Sequence, residues 1–143
     1  SPLDLISDWR SFREGLINSD LSEEDVLLQV SNYWSPVPRG IRSIDYYTPK
    51  SWPTPWEIIH HNLVCNNTVS LLMYYTLALM PTFDISTLKI ARIDDKQDVY
   101  IVPLYKDDII LNLEYGNLVK ISECNYDIDI QEIFDREDLP EIK

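Results

Sequence analysis

Residues 52–80 constrain this chain more than any other stretch. They read Trp-Pro-Thr-Pro-Trp-Glu-Ile-Ile-His-His-Asn-Leu-Val-Cys, then Asn-Asn-Thr-Val-Ser-Leu-Leu-Met-Tyr-Tyr-Thr-Leu-Ala-Leu-Met. Thr54, Pro55 and Glu57 supply an N-cap, a proline at the first helical position and an acid in the first turn, so a short helix starts here. It breaks near Asn62. A second helix opens at Cys65, is apolar on nearly every side, and stops before Pro81. An all-round apolar helix belongs in the middle of a core. A thiol at its start sits at the positive end of the helix dipole, which favours thiolate, so Cys65 occupies the place of a nucleophile.

The chain has 143 residues, 45% of them hydrophobic, which suits one ordered domain spanning residues 1–143. Three glycines against nine prolines argue against a glycine-rich phosphate loop. The net charge of -12 argues against nucleic acid as a partner and against an anionic membrane surface. It is compatible with a basic-surfaced protein, including the role of an acidic decoy for one. The longest apolar run, residues 69–80, falls short of the roughly 20 residues that span a bilayer. The first residues form no signal peptide, and the chain starts at Ser1 without Met, as a fragment or a processed product does. The cytoplasm, or the host cytoplasm or virion for a viral protein, is the expected location. Cys65 and Cys124 permit one bridge, but nothing in the sequence supports it.

Along the chain, the apolar spacing of Leu5, Ile6, Trp9, Phe12, Leu16 and Ile17 is helical. Ser22 followed by three acids starts a second helix with Val26, Leu27, Val30 and Trp34 on one side, closed by Pro36 and Pro38. Residues 1–34 thus form an N-terminal helical extension. Residues 35–55 cross over as a loop that holds Arg39 and Arg42. That pair could hold an anion, but pairing with surface carboxylates is the expectation in an acidic protein. After Pro81 the pattern turns to strands: 87–93, 98–105, 109–113 and 118–122, separated by polar turns. The acid-rich tail, residues 127–143, reads as a short helix or as partly disordered. Helices first and a meander second make an α+β fold: N-terminal helices and a central Cys-bearing helix packed on an antiparallel β-meander.

The run Asp45-Tyr46-Tyr47, the segment Trp52-Pro53-Thr54-Pro55-Trp56-Glu57, Cys65 and the aromatic-bearing helix that follows resemble the bacterial transglutaminase-like cysteine peptidases, a family with a papain-like core. The resemblance covers roughly residues 45–120. It implies a Cys-His-Asp site, with the cysteine at Cys65, the histidine near residues 98–100 and the aspartate near Asn112. Only Cys65 matches. Leu63 and Val64 stand where that family has Gly and an acid, and Asn66 and Asn67 replace an acidic pair. No histidine follows His61. A thiol without an imidazole lacks both its base and the proton donor for the leaving group.

The expected function is therefore non-catalytic: a protein-binding or structural protein, of the kind found among phage and viral accessory or virion proteins, on a degenerate transglutaminase-like scaffold. Tyr46, Tyr47, Trp52 and Trp56 are its candidate partner-binding residues, since Tyr and Trp dominate interface hot spots. The alternative is a cysteine peptidase or amidase in which His60 or His61 folds back onto Cys65, with Asn112 orienting the imidazole. No cofactor and no metal is expected. His60, His61 and Cys65 lack the spacing of a zinc site, and Asp94, Asp95 and Asp98 lack the Gly and Glu of a calcium loop.

Overall fold

The computed structural model describes residues 1–125 and 127–142. Helices α1 (Pro2–Ile17), α2 (Glu23–Trp34), α3 (Pro55–His60) and α4 (Asn66–Ala78) precede strands β1 (Leu88–Asp94), β2 (Val99–Tyr105), β3 (Ile109–Ile110), β4 (Val119–Lys120) and β5 (Asp129–Phe134). The strands form one antiparallel sheet in the order β4-β3-β2-β1-β5. The expected α+β arrangement is present.

Helix starts follow the chemistry of their caps. Ser22 Oγ accepts from the Asp25 amide, and Thr54 and Glu57 bond reciprocally across the first turn of α3. Those hydrogen bonds from Thr54 hold the Glu57 carboxyl below its ordinary range. Asn62 has φ 50, which ends the α3 segment and turns the chain into α4.

Residues 67–77 of α4 are all buried. One side of α4 meets α1 and α2, where Thr76 Oγ1 accepts from the indoles of Trp9 at 2.8 Å and Trp34 at 2.9 Å. Residues 1–34 are therefore part of the main core rather than appended to it. The other side meets the sheet through Leu88, Ile90 and Ile101. The opposite sheet face carries a smaller cluster of Ala91, Ile93, Val102, Leu104, Ile110 and Val119, covered by the chain around Ile121, Cys124 and Ile128. Each fully buried Leu or Ile contributes about 1.5–3 kcal/mol, so both faces of β1 and β2 are anchored.

Two expectations need correction. Residues 109–113 form a strand only at Ile109–Ile110. Pro103 faces this edge of β2: its carbonyl accepts from the Leu111 amide, but its nitrogen has no proton to give, so the ladder stops there. The described part of the tail, residues 127–142, forms a strand and a 3₁₀ turn rather than a short α-helix. Residues 129–134 add β5 to the free side of β1, and a 3₁₀ turn at Arg136–Asp138 brings Leu139 into the core. Lys143 lies outside the described residues.

Candidate functional site

Cys65 is the N-cap residue of α4, in extended conformation, and only 2% exposed. It lines the floor of a cleft of about 580 Å³ whose walls include Arg42, Asp45, Lys50, Trp52 and Pro140. Lys50 Nζ donates to the carbonyls of Glu137 at 2.7 Å and Leu139 at 3.0 Å, so the C-terminal segment forms one wall of the cleft.

The sulfur has a polar neighbour in Thr68, whose Oγ1 lies 3.5 Å away. That hydroxyl accepts from the Cys65 amide at 2.8 Å, and its single proton has a nearer acceptor in the Leu63 carbonyl at 2.7 Å. Thr68 thus shapes the helix start and does not ionise the thiol. Among the described residues no imidazole and no carboxylate is hydrogen-bonded to the sulfur.

His60 and His61 sit at the far end of α3, both exposed. Their rings meet edge to face at 4.8 Å between centroids. His61 is the cap residue of α3. No hydrogen bond links either imidazole to Cys65 or to Asn112 among the described residues.

Asn112 does reach the α4 start. With φ 63 it turns the chain so that Nδ2 donates to the Asn66 carbonyl and to Ser70 Oγ, each at 2.8 Å. Asn67 and Ser70 perform a related task on β2. Where β3 ends, the Ile101 amide and carbonyl would be left without partners. Asn67 Oδ1 accepts from that amide at 3.1 Å, and Ser70 Oγ donates to that carbonyl at 2.8 Å. The polar residues at the start of α4 therefore complete a sheet edge. The sequence reading missed this role. Its signal was a polar stripe at 66, 67 and 70 on an otherwise apolar helix.

By strand alternation Val99, at the start of β2, shares the α4-facing side of the sheet with Ile101 two residues on. A valine there is no proton acceptor. Arg39 is a cation whose field reaches this region. Burial holds its guanidinium below the usual range, and the Tyr115 phenol and Cys65 thiol, both able to become anions, oppose that shift. A guanidinium can attract a thiolate but takes no proton from it.

The expected pairing of Arg39 and Arg42 with surface carboxylates is not found. Arg39 donates to the Ser35 and Val37 carbonyls and, at 3.4 Å, to Asn112 Oδ1. Neither arginine joins an ion pair among the described residues.

The aromatic candidates divide. Trp52 is buried, donates from Nε1 to the Asp45 carbonyl at 2.7 Å, and packs edge-on against Phe134. Trp56 packs on Trp9, and the Tyr46 hydroxyl accepts from Asn67 Nδ2. Tyr47 alone is largely exposed, at 67%, with the Arg92 guanidinium over its ring at 4.3 Å. Asp94, Asp95 and Asp98 form a turn in which two of the carboxylates accept backbone amides, and no group of metal-ligating side chains occurs among the described residues. No disulfide joins Cys65 to Cys124. No helix among the described residues is long and apolar enough to cross a membrane.

A cysteine-headed central helix laid on an antiparallel sheet is the transglutaminase-like fold. The chain is similar to solved structures of LapG from Legionella pneumophila. One is 18% identical over 90% of this chain and 73% of that one, with a TM-score of 0.71. The calcium-bound form is 15% identical over 94% and 79%, with a TM-score of 0.66. The EGTA-treated form is 16% identical over 92% and 81%, also with a TM-score of 0.66. At these identities the likeness is one of fold. No family model matches the chain, and no curated protein does.

Proposed function

We propose that this chain is a non-catalytic protein-binding module built on a transglutaminase-like scaffold. The observation that supports it best is the surroundings of Cys65. The thiol keeps the helix start and the cleft, but the groups around it are engaged in holding backbone. Thr68 closes the α4 turn, Asn67 and Ser70 complete β2, and Asn112 ties the β3 end to α4. Nothing there accepts a proton from sulfur and returns it to a leaving group. Tyr47 and the open cleft are the surfaces offered to a partner.

The peptidase or amidase alternative draws on the same thiol and cleft and requires His60 or His61 to move from the exposed end of α3. A thiol-reactive probe separates the two. Slow labelling of Cys65 at mildly acidic pH, no faster than in the unfolded chain, agrees with the binding module. Rapid labelling that disappears in both Cys65→Ala and His61→Gln establishes the enzyme instead.

A further inference from the structure

We infer that the hollow between residues 38–42 and 62–64 is a carboxylate-binding site, with Arg39 as its fixed base and Arg42 as its free arm. The hollow measures about 640 Å³ and is lined by Arg39, Gly40, Ile41, Arg42, Asn62 and Val64, together with Pro38. Two arginines face it and no acid does.

That arrangement runs against the composition. Acids outnumber bases 24 to 12 in the chain, so an arginine on this surface has carboxylates in abundance to choose from. Among the described residues Lys106, Lys120 and Arg92 pair with a carboxylate, while Arg39 and Arg42 belong with the larger number of Lys and Arg that do not. Arg39 is locked in place by the Ser35 and Val37 carbonyls and by Asn112, and its Nε is buried with no partner among the described residues. An unsatisfied buried donor of this kind costs free energy. Arg42 is exposed, makes no ion pair with the described residues, and lines both this hollow and the Cys65 cleft next to it. The bond from the Gly40 amide to the Val64 carbonyl, 2.8 Å, joins the two loops and keeps the walls in register.

A guanidinium fork matches a carboxylate in two parallel hydrogen bonds. The chain's charge of -12 repels multiply charged ligands at long range, which disfavours phosphates and nucleic acid and leaves a single carboxylate as the fitting group. Two sources carry it: a peptide, through its C-terminus or an acidic side chain, and a free small acid. The inference holds whether or not Cys65 is reactive, so its test and the labelling of Cys65 fail independently.

The test is an amide-resonance titration of the ¹⁵N-labelled chain at constant ionic strength. The probes are a short peptide with a free C-terminal carboxylate, the same peptide as its C-terminal amide, acetate, and inorganic phosphate. The expected result is a saturable shift of the Gly40, Asn62 and Val64 amides by the acid peptide and not by its amide. Arg42→Glu should weaken that binding by about tenfold or more, with Arg42→Gln between it and the native chain. Acetate binding as tightly as the acid peptide supports the site and assigns it to a small free acid. Phosphate binding more tightly than either carboxylate overturns the ligand class. Absence of any saturable shift, or equal affinity in Arg42→Glu, overturns the site.

Discussion

The two ends of α4 use polar atoms in opposite ways. In its later half, Thr76 Oγ1 accepts two indole protons and donates its own to the Leu72 carbonyl at 2.6 Å, so one hydroxyl fills its whole capacity. At its start, Cys65 places a sulfur where chemistry could occur, and its polar neighbours serve the backbone instead. One end is a saturated structural joint. The other, on the function proposed above, keeps a nucleophile's position without a proton relay. A buried polar atom is worth what its partners make of it, and a catalytic position is no different.

The comparison is broken most severely at Thr76. Thr76→Val keeps the shape but leaves the Trp9 and Trp34 indoles without an acceptor, at a cost of roughly 2–5 kcal/mol in urea unfolding. Labelling of Cys65 should stay unchanged while the variant is folded. A stability loss well under 1 kcal/mol would mean that those indoles are not held as described.

Tyr74 and Tyr75 lie fully buried in the same half of α4, with hydroxyls that have no hydrogen-bond partner among the described residues. Burial raises both phenols, Tyr75 from 10.0 to about 12 and Tyr74 further. Such groups favour the folded state fully below the ordinary phenol range, and that contribution is lost as pH rises through the folded value. For Tyr75 this amounts to about 2–3 kcal/mol at full ionisation. Stability should therefore fall between pH 10 and pH 12, the values between which Tyr75 shifts, and Tyr75→Phe should flatten the decline. An unchanged slope in that variant would remove Tyr75 as its cause.

At the helix start the expected effect is smaller. Ser70→Ala removes the donor to Ile101 and the acceptor for Asn112, and costs about 1–3 kcal/mol. Hydrogen exchange at the end of β2 and in residues 110–112 should quicken, with little change around Trp9. Smallest of all is Cys65→Ala, which removes one buried sulfur and costs about 1 kcal/mol or less in the same unfolding assay. A larger loss would make the thiol a structural joint like Thr76 and erase the contrast.

Much of this was legible locally. The Ser22 cap, the Thr54-Pro55-Trp56-Glu57 signature and the apolar run after Cys65 specify their helices with contacts inside four residues. The tail was not legible, for two physical reasons. Its partner, β1, lies some forty residues earlier, and the bulge between Arg92 and Ile93 upsets the alternation that marks a strand, leaving Ile133 exposed at 44% and Phe134 buried. Residues 109–113 looked like a strand because their apolar run is real, but the limit comes from Pro103 on the neighbouring strand. At the site, that no histidine follows His61 was visible by counting. The engagement of Asn67, Ser70 and Asn112 with the sheet edge was not, because it depends on where β3 ends. The loop aromatics misled for a related reason: Trp52 and Trp56 are drawn inward by Phe134 and Trp9, residues far away in the chain.

The most direct measurement is the rate of Cys65 alkylation at mildly acidic pH in the native chain and in Val99→His. If sulfur lacks only a proton acceptor, the native chain reacts slowly and the imidazole introduced on the α4-facing side of β2 speeds the reaction about tenfold or more. Native labelling already as fast as that of the variant, and abolished by replacing His60 or His61, would contradict the account.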